Sequence, residues 1–112
     1  MEDRDVFILE EIVDYCDKVA STLDKIGGKY ENFKEDSDYQ DICAFRTMQI
    51  GELVNSLSDR FKGNHPEIEW RNIIAFRNIV THDYGKIDVK KMWDTVIDDV
   101  PALKEFCEKQ IR

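Results

Sequence analysis

Residues 67–84 read EIEWRNIIAFRNIVTHDY, and this stretch decides the fold. Ile68, Trp70, Ile73, Ile74, Phe76, Ile79 and Val80 fall at spacings that break strand alternation. They fit a helix that is apolar around much of its circumference. Such a helix needs cover on two sides, from neighbours in a bundle or from a partner subunit. The spacing predicts it over Glu67–Thr81.

Working outward, residues 5–26 carry Val6, Ile8 or Leu9, Ile12, Val13, Cys16, Val19, Leu23 and Ile26 at three-four spacing, an amphipathic helix stopped by Gly27-Gly28. Residues 29–36 read as one short helical turn. Ser37 with Gln40 fits a capping box that opens a second long helix. Its apolar face is expected to be Ile42, Cys43, Phe45, Met48, Ile50, Leu53, Val54, Leu57 and Phe61, ending at Lys62–Pro66. Beyond Gly85, Asp88 reads as the cap of a fourth helix through Met92, Trp93, Val96 and Ile97. Pro101 then either kinks this helix or begins a fifth segment with Leu103, Phe106 and Ile111. No strand alternation, internal repeat or low-complexity run interrupts the pattern. The expectation is an all-α fold, an antiparallel four- to five-helix bundle forming one domain over residues 1–112.

The chain has 112 residues, 42% hydrophobic and 36% charged, a balance that excludes disorder and leaves no apolar run long enough to span a bilayer. The acidic start, Met1-Glu2-Asp3-Arg4-Asp5, lacks the apolar stretch of a signal peptide. Cys16, Cys43 and Cys107 have no metal-ligand spacing and lie on apolar faces, so reduced core thiols in a cytoplasmic protein are expected. The net charge of −8 would ordinarily argue against nucleic acid. Divided by segment, residues 1–42 hold −8, 43–70 hold −1, 71–91 hold +3 and 92–112 hold −2. The one basic stretch therefore surrounds the third helix and its exit.

Within it, Arg77, His82 and Tyr84 form an Arg-x4-His-x-Tyr pattern. Arginine offers a permanently charged, forked donor for phosphate oxygens, and histidine exchanges a proton near neutral pH. Together they supply what cleavage of an RNA phosphodiester by its own 2′-hydroxyl needs, without a metal. At 100° per helical residue, Arg77 and His82 stand about 140° apart, whereas Asn78 and His82 share a face. Convergence of Arg77 and His82 needs either fraying of the helix near His82 or the meeting of two copies of the segment. A two-fold homodimer would bring two arginines and two histidines to one cleft. The bland alternative is a helix-end histidine complementing the dipole and an arginine in a surface ion pair.

Ile68-Glu69-Trp70, Ile73 through Tyr84 and Ile87-Asp88 resemble the HepT-like group of the HEPN superfamily, small all-helical toxins of prokaryotic toxin–antitoxin pairs. Arg46-Thr47-Met48-Gln49-Ile50-Gly51-Glu52-Leu53 is similar to the family's second-helix segment ending in Gly-Glu, and Val89–Leu103 to its last helices. The resemblance implies a metal-independent endoribonuclease without a cofactor, acting as a homodimer with a composite site of Arg77 and His82 from both subunits. It implies that Asn78 supports them. It further implies that Tyr84 receives AMP from a minimal nucleotidyltransferase antitoxin, which blocks the RNA site with bulk and negative charge. This chain differs in placing Asp83, an acid, inside the proposed site. A second reading is a non-catalytic helical dimer that a nucleotidyltransferase partner binds and modifies. No role is expected for His65. Trp70 and Trp93 read as core or dimer contacts. Arg46 and Glu52, six residues apart, fall on different faces of their helix, with Arg46 able to approach the cleft from a neighbouring helix.

Overall fold

The computed structural model describes residues 1–112 and contains helices and turns only. Four rods carry the architecture: α1 (Asp3–Lys25), α3 (Ser37–Ser56), α5 (Trp70–His82) and a C-terminal rod built from α6 (Val89–Asp94) and α7 (Val100–Gln110). The short helices α2 (Tyr30–Lys34) and α4 (Asp59–Gly63) fill the corners. This is the all-α bundle that the periodicity predicts. No helix is long and apolar enough to cross a membrane.

The core lies among α1, α3 and the C-terminal rod. Leu9, Ile12, Val19, Ile50, Val54, Met92, Val96 and Cys107 are closed off from solvent there, and Phe33 of α2 packs its ring against Trp93. All three cysteines are free and buried within it. Gly27 and Gly28, at φ +72° and +66°, end α1, a backbone conformation that β-carbon-bearing residues resist.

Several boundaries depart from the sequence reading, each for a local reason. The cap of α3 is Asp36, whose carboxylate accepts from the amides of Asp38 and Tyr39. Ser37 is already helical, and Gln40 donates backwards to the carbonyls of Phe33 and Lys34, tying α2 to α3. The second long helix does not reach Phe61. Leu57 and Ser58 are extended, and the Ser58 hydroxyl accepts from the Phe61 amide to start α4. Buried Asp5 fixes this corner by accepting from the Ser58 amide at 2.9 Å and its hydroxyl at 2.6 Å. On α3, Ile42 and Phe45 point outward rather than into the core. Of the two readings of Pro101 the second holds, since it stands in the first turn of α7, the segment that carries Leu103 and Phe106. Residues Thr95–Asp99 widen into a π-helical turn immediately before it, and the rod continues as α7 with the proline in its first turn.

The helix quoted first departs furthest. In one chain α5 is not central: it packs mainly on α3, and none of its residues is buried. Ile73, Ile74, Phe76 and Val80 are half-covered by the core, while Ile79 stays 43% exposed. The bundle covers α5 on one side only.

Candidate active site

Arg77 sits on the face of α5 turned to α3. A methyl group at Gly51 would collide with the β-carbon of Arg77, so the missing side chain at Gly51 lets the two helices touch. The guanidinium is thereby delivered to the next residue along α3, Glu52. One carboxylate oxygen of Glu52 accepts from Nε of Arg77 and forms an ion pair with Nη2, and the Oδ1 of Asn78 accepts from Nη1 at 2.6 Å. The Thr81 hydroxyl donates to the Arg77 carbonyl one turn back, at 2.9 Å.

His82 is the last residue of α5 and is exposed. The helix runs unbroken to it, so fraying does not swing it round to Arg77, and helical geometry keeps the two about 140° apart. Asn78, one turn before His82, gives its side-chain oxygen to Arg77 instead. The Asp83 carboxylate faces Lys86 at 3.7 Å. The Asp83 amide closes α5 on the Ile79 carbonyl, and a 3₁₀ turn over Tyr84–Lys86 redirects the chain.

That turn carries Tyr84 to the first turns of α3, where its hydroxyl donates to the carboxylate of Asp41. Burial, then the Asp41 hydrogen bond and charge, push the phenol up to about 12. Tyr84 as a whole remains 41% exposed.

Other candidates fall outside this cluster. Arg46 turns the opposite way, donating to the Lys18 carbonyl at 2.8 Å and the Thr22 hydroxyl at 2.7 Å, and so fastens α3 to α1 rather than approaching the cleft. His65 packs edge-on against Phe106 and pairs with Glu67. Trp93 is buried against Tyr30 and Phe33, and Trp70 donates its indole N–H to the carbonyls of Lys62 and His65. Both tryptophans thus serve the packing of this chain.

Two members of the cluster escape a sequence reading. Asp41 lies 43 residues from Tyr84, and nothing local links them. Glu52 has a faint signal: a glycine in the middle of a helix marks close backbone approach, and the residue beside it borders whatever approaches.

Helices alone, an arginine and a terminal histidine on one rod, and a half-exposed tyrosine at its exit define a small HEPN-type domain. The chain belongs to the HepT-like ribonuclease family, whose model, described as Ribonuclease HepT-like, matches residues 9–110. It is 31% identical over 105 residues to "Probable ribonuclease HepT" of Thermococcus cleftensis, covering 86% of this chain and 92% of that protein. It is 26% identical over 104 residues to "Putative RNase TTE0752" of Caldanaerobacter subterraneus subsp. tengcongensis, covering 93% and 88%. No solved structure matches the chain.

Proposed function

We propose that this protein is a toxin endoribonuclease that cuts RNA without a metal, in a cleft formed by two copies of α5. The observation that carries the reading is α5 itself. Its apolar circumference is covered on one side only, Arg77 and His82 stand on different faces, and a two-fold partner would supply both the missing cover and the second pair of groups. Membership of a ribonuclease family supports the substrate class.

In this scheme one copy of His82 takes the proton from the RNA 2′-hydroxyl as that oxygen attacks the adjacent phosphorus. The bond from phosphorus to the 5′-oxygen breaks, and the other copy of His82 gives that oxygen a proton. The products are a 2′,3′-cyclic phosphate and a 5′-hydroxyl. Arg77 stabilises the charge that gathers on the phosphate oxygens, and Asn78 steadies the guanidinium. The overall acidity makes RNA binding local to residues 71–91 and sensitive to salt.

A small nucleotidyltransferase partner neutralises the toxin by moving AMP from ATP to Tyr84: the phenolic oxygen loses its proton and bonds to the α-phosphorus, and pyrophosphate leaves. The half-exposed phenol favours this step. It equally suits the second reading, a non-catalytic dimer that serves as the transferase's substrate.

Cleavage of a fluorescent single-stranded RNA in chelator, by the wild type, Arg77→Ala and His82→Ala, separates the two readings. Each substitution is expected to lower the rate at least about 100-fold, the usual effect of removing one transition-state donor or proton-transfer group. Equal rates for all three proteins would overturn the ribonuclease reading. Sedimentation showing only monomer at micromolar concentration would overturn the composite cleft.

A further inference from the structure

A guanidinium has five N–H donors. Two in Arg77 are committed, Nε to Glu52 and one on Nη1 to Asn78, and Nη2 lies in ion-pair contact with the same Glu52 oxygen. The remaining N–H groups all sit on the two terminal nitrogens. A carboxylate on the Nε–Nη2 edge and an amide oxygen on Nη1 hold the plane of the guanidinium on both sides. Donors on two neighbouring terminal nitrogens are the groups with which a guanidinium meets two phosphate oxygens. The mount is stiff at its base as well, because the Arg77 β-carbon fills the place where Gly51 has none. The pair is open rather than sealed, with the Arg77 side chain 24% and the Glu52 side chain 43% exposed.

From this geometry we infer that Glu52 is a positioning residue for RNA cleavage, holding Arg77 so that the free N–H groups of its terminal nitrogens face the scissile phosphate. The inference rests on the reading of Arg77 as the phosphate-stabilising group. Glu52 does not touch RNA in this role. Its negative charge opposes RNA binding, so its contribution to orientation and its contribution to affinity have opposite signs. That opposition separates it from a residue that merely supports the fold.

The test is steady-state cleavage of a fluorescent single-stranded RNA by the full-length wild type, Glu52→Gln and Glu52→Ala, with and without added formate. A positioning role predicts that kcat falls about 10-fold in Glu52→Gln and about 100-fold in Glu52→Ala, the scale of a small misplacement of a catalytic group. KM stays level or falls, and formate restores kcat in Glu52→Ala where chloride does not. An unchanged kcat in both variants, or a loss confined to a raised KM, overturns the inference. Circular dichroism checks that the isosteric Gln variant is folded. A second readout needs no activity: the Arg77 Nε–H resonance should be sharp and slow to exchange in the wild type and broadened in Glu52→Gln. The same Nε–H behaviour in both proteins overturns the inference even if RNA is cut. A wild type that cuts no RNA while this resonance responds to Glu52→Gln overturns the ribonuclease reading and keeps the holding contact.

Discussion

At the scale of single residues, the cluster is made of two polar contacts between α3 and the end of α5. One is Glu52 to Arg77, and the other is Asp41 to Tyr84. The second has a measurable titration. Burial and Asp41 hold the phenol at about 12, and a folded value above the unfolded one, about 10, means that the contact stabilises the fold fully below pH ~10. That stabilisation is lost as pH rises from there through 12. In Asp41→Asn, phenolate absorbance should therefore show Tyr84 ionising at lower pH than in the wild type, though still above an ordinary tyrosine because the burial remains. An unchanged titration would mean that Asp41 does not hold the hydroxyl in solution. Neither contact is legible in the sequence, since each joins residues that only the packing of α5 on α3 brings together. Arg77, His82 and Tyr84 themselves are legible, because their spacing is local.

At the scale of elements, the interface between α3 and α5 depends on Gly51. Adding one methyl there meets the Arg77 β-carbon, which is rooted in its own helix and cannot swing aside. Gly51→Ala should cost about 1–3 kcal/mol, the usual range for overpacking, and should lower RNA cleavage along with stability. Urea unfolding measures the first and the RNA assay the second; a stability at or above the wild type's would show that the helices separate freely. The lengths of the elements were harder to read than their existence. The second long helix is cut at Leu57–Ser58 because Asp5, more than 50 residues earlier, claims Ser58 for a corner. The π turn at Thr95–Asp99 similarly depends on how the last rod accommodates Pro101 while keeping Val96 and Val100 in the core.

At the scale of the whole molecule, the core is closed around three thiols. Burial pushes Cys16 and Cys107 up to about 12 and Cys43 up to about 11, so none is a thiolate near neutral pH. Ellman's reagent at pH 8 should find no reactive thiol in the native protein and three in guanidinium chloride. A native thiol that reacts quickly would show that the core opens. Because the folded values are raised, the thiols stabilise the fold below their ordinary range and lose that contribution as pH climbs toward 11 to 12. The charge is also organised at this scale. The acid of the first 42 residues lies on α1 and the corner after it, and the only net basic stretch spans α5 and the start of the C-terminal rod.

The sequence by itself determined that the chain is helical, where its main rods lie, and which residues of α5 and its exit could carry phosphate chemistry. Periodicity, capping and motif spacing are local, so they can be read along the chain. Only the tertiary structure decided that α5 is covered on one side, that Gly51 admits Arg77, and that Glu52 and Asp41 hold Arg77 and Tyr84. Those facts depend on which helix faces which and at what distance. Side-chain volume and hydrogen-bond geometry settle that after the rods have packed.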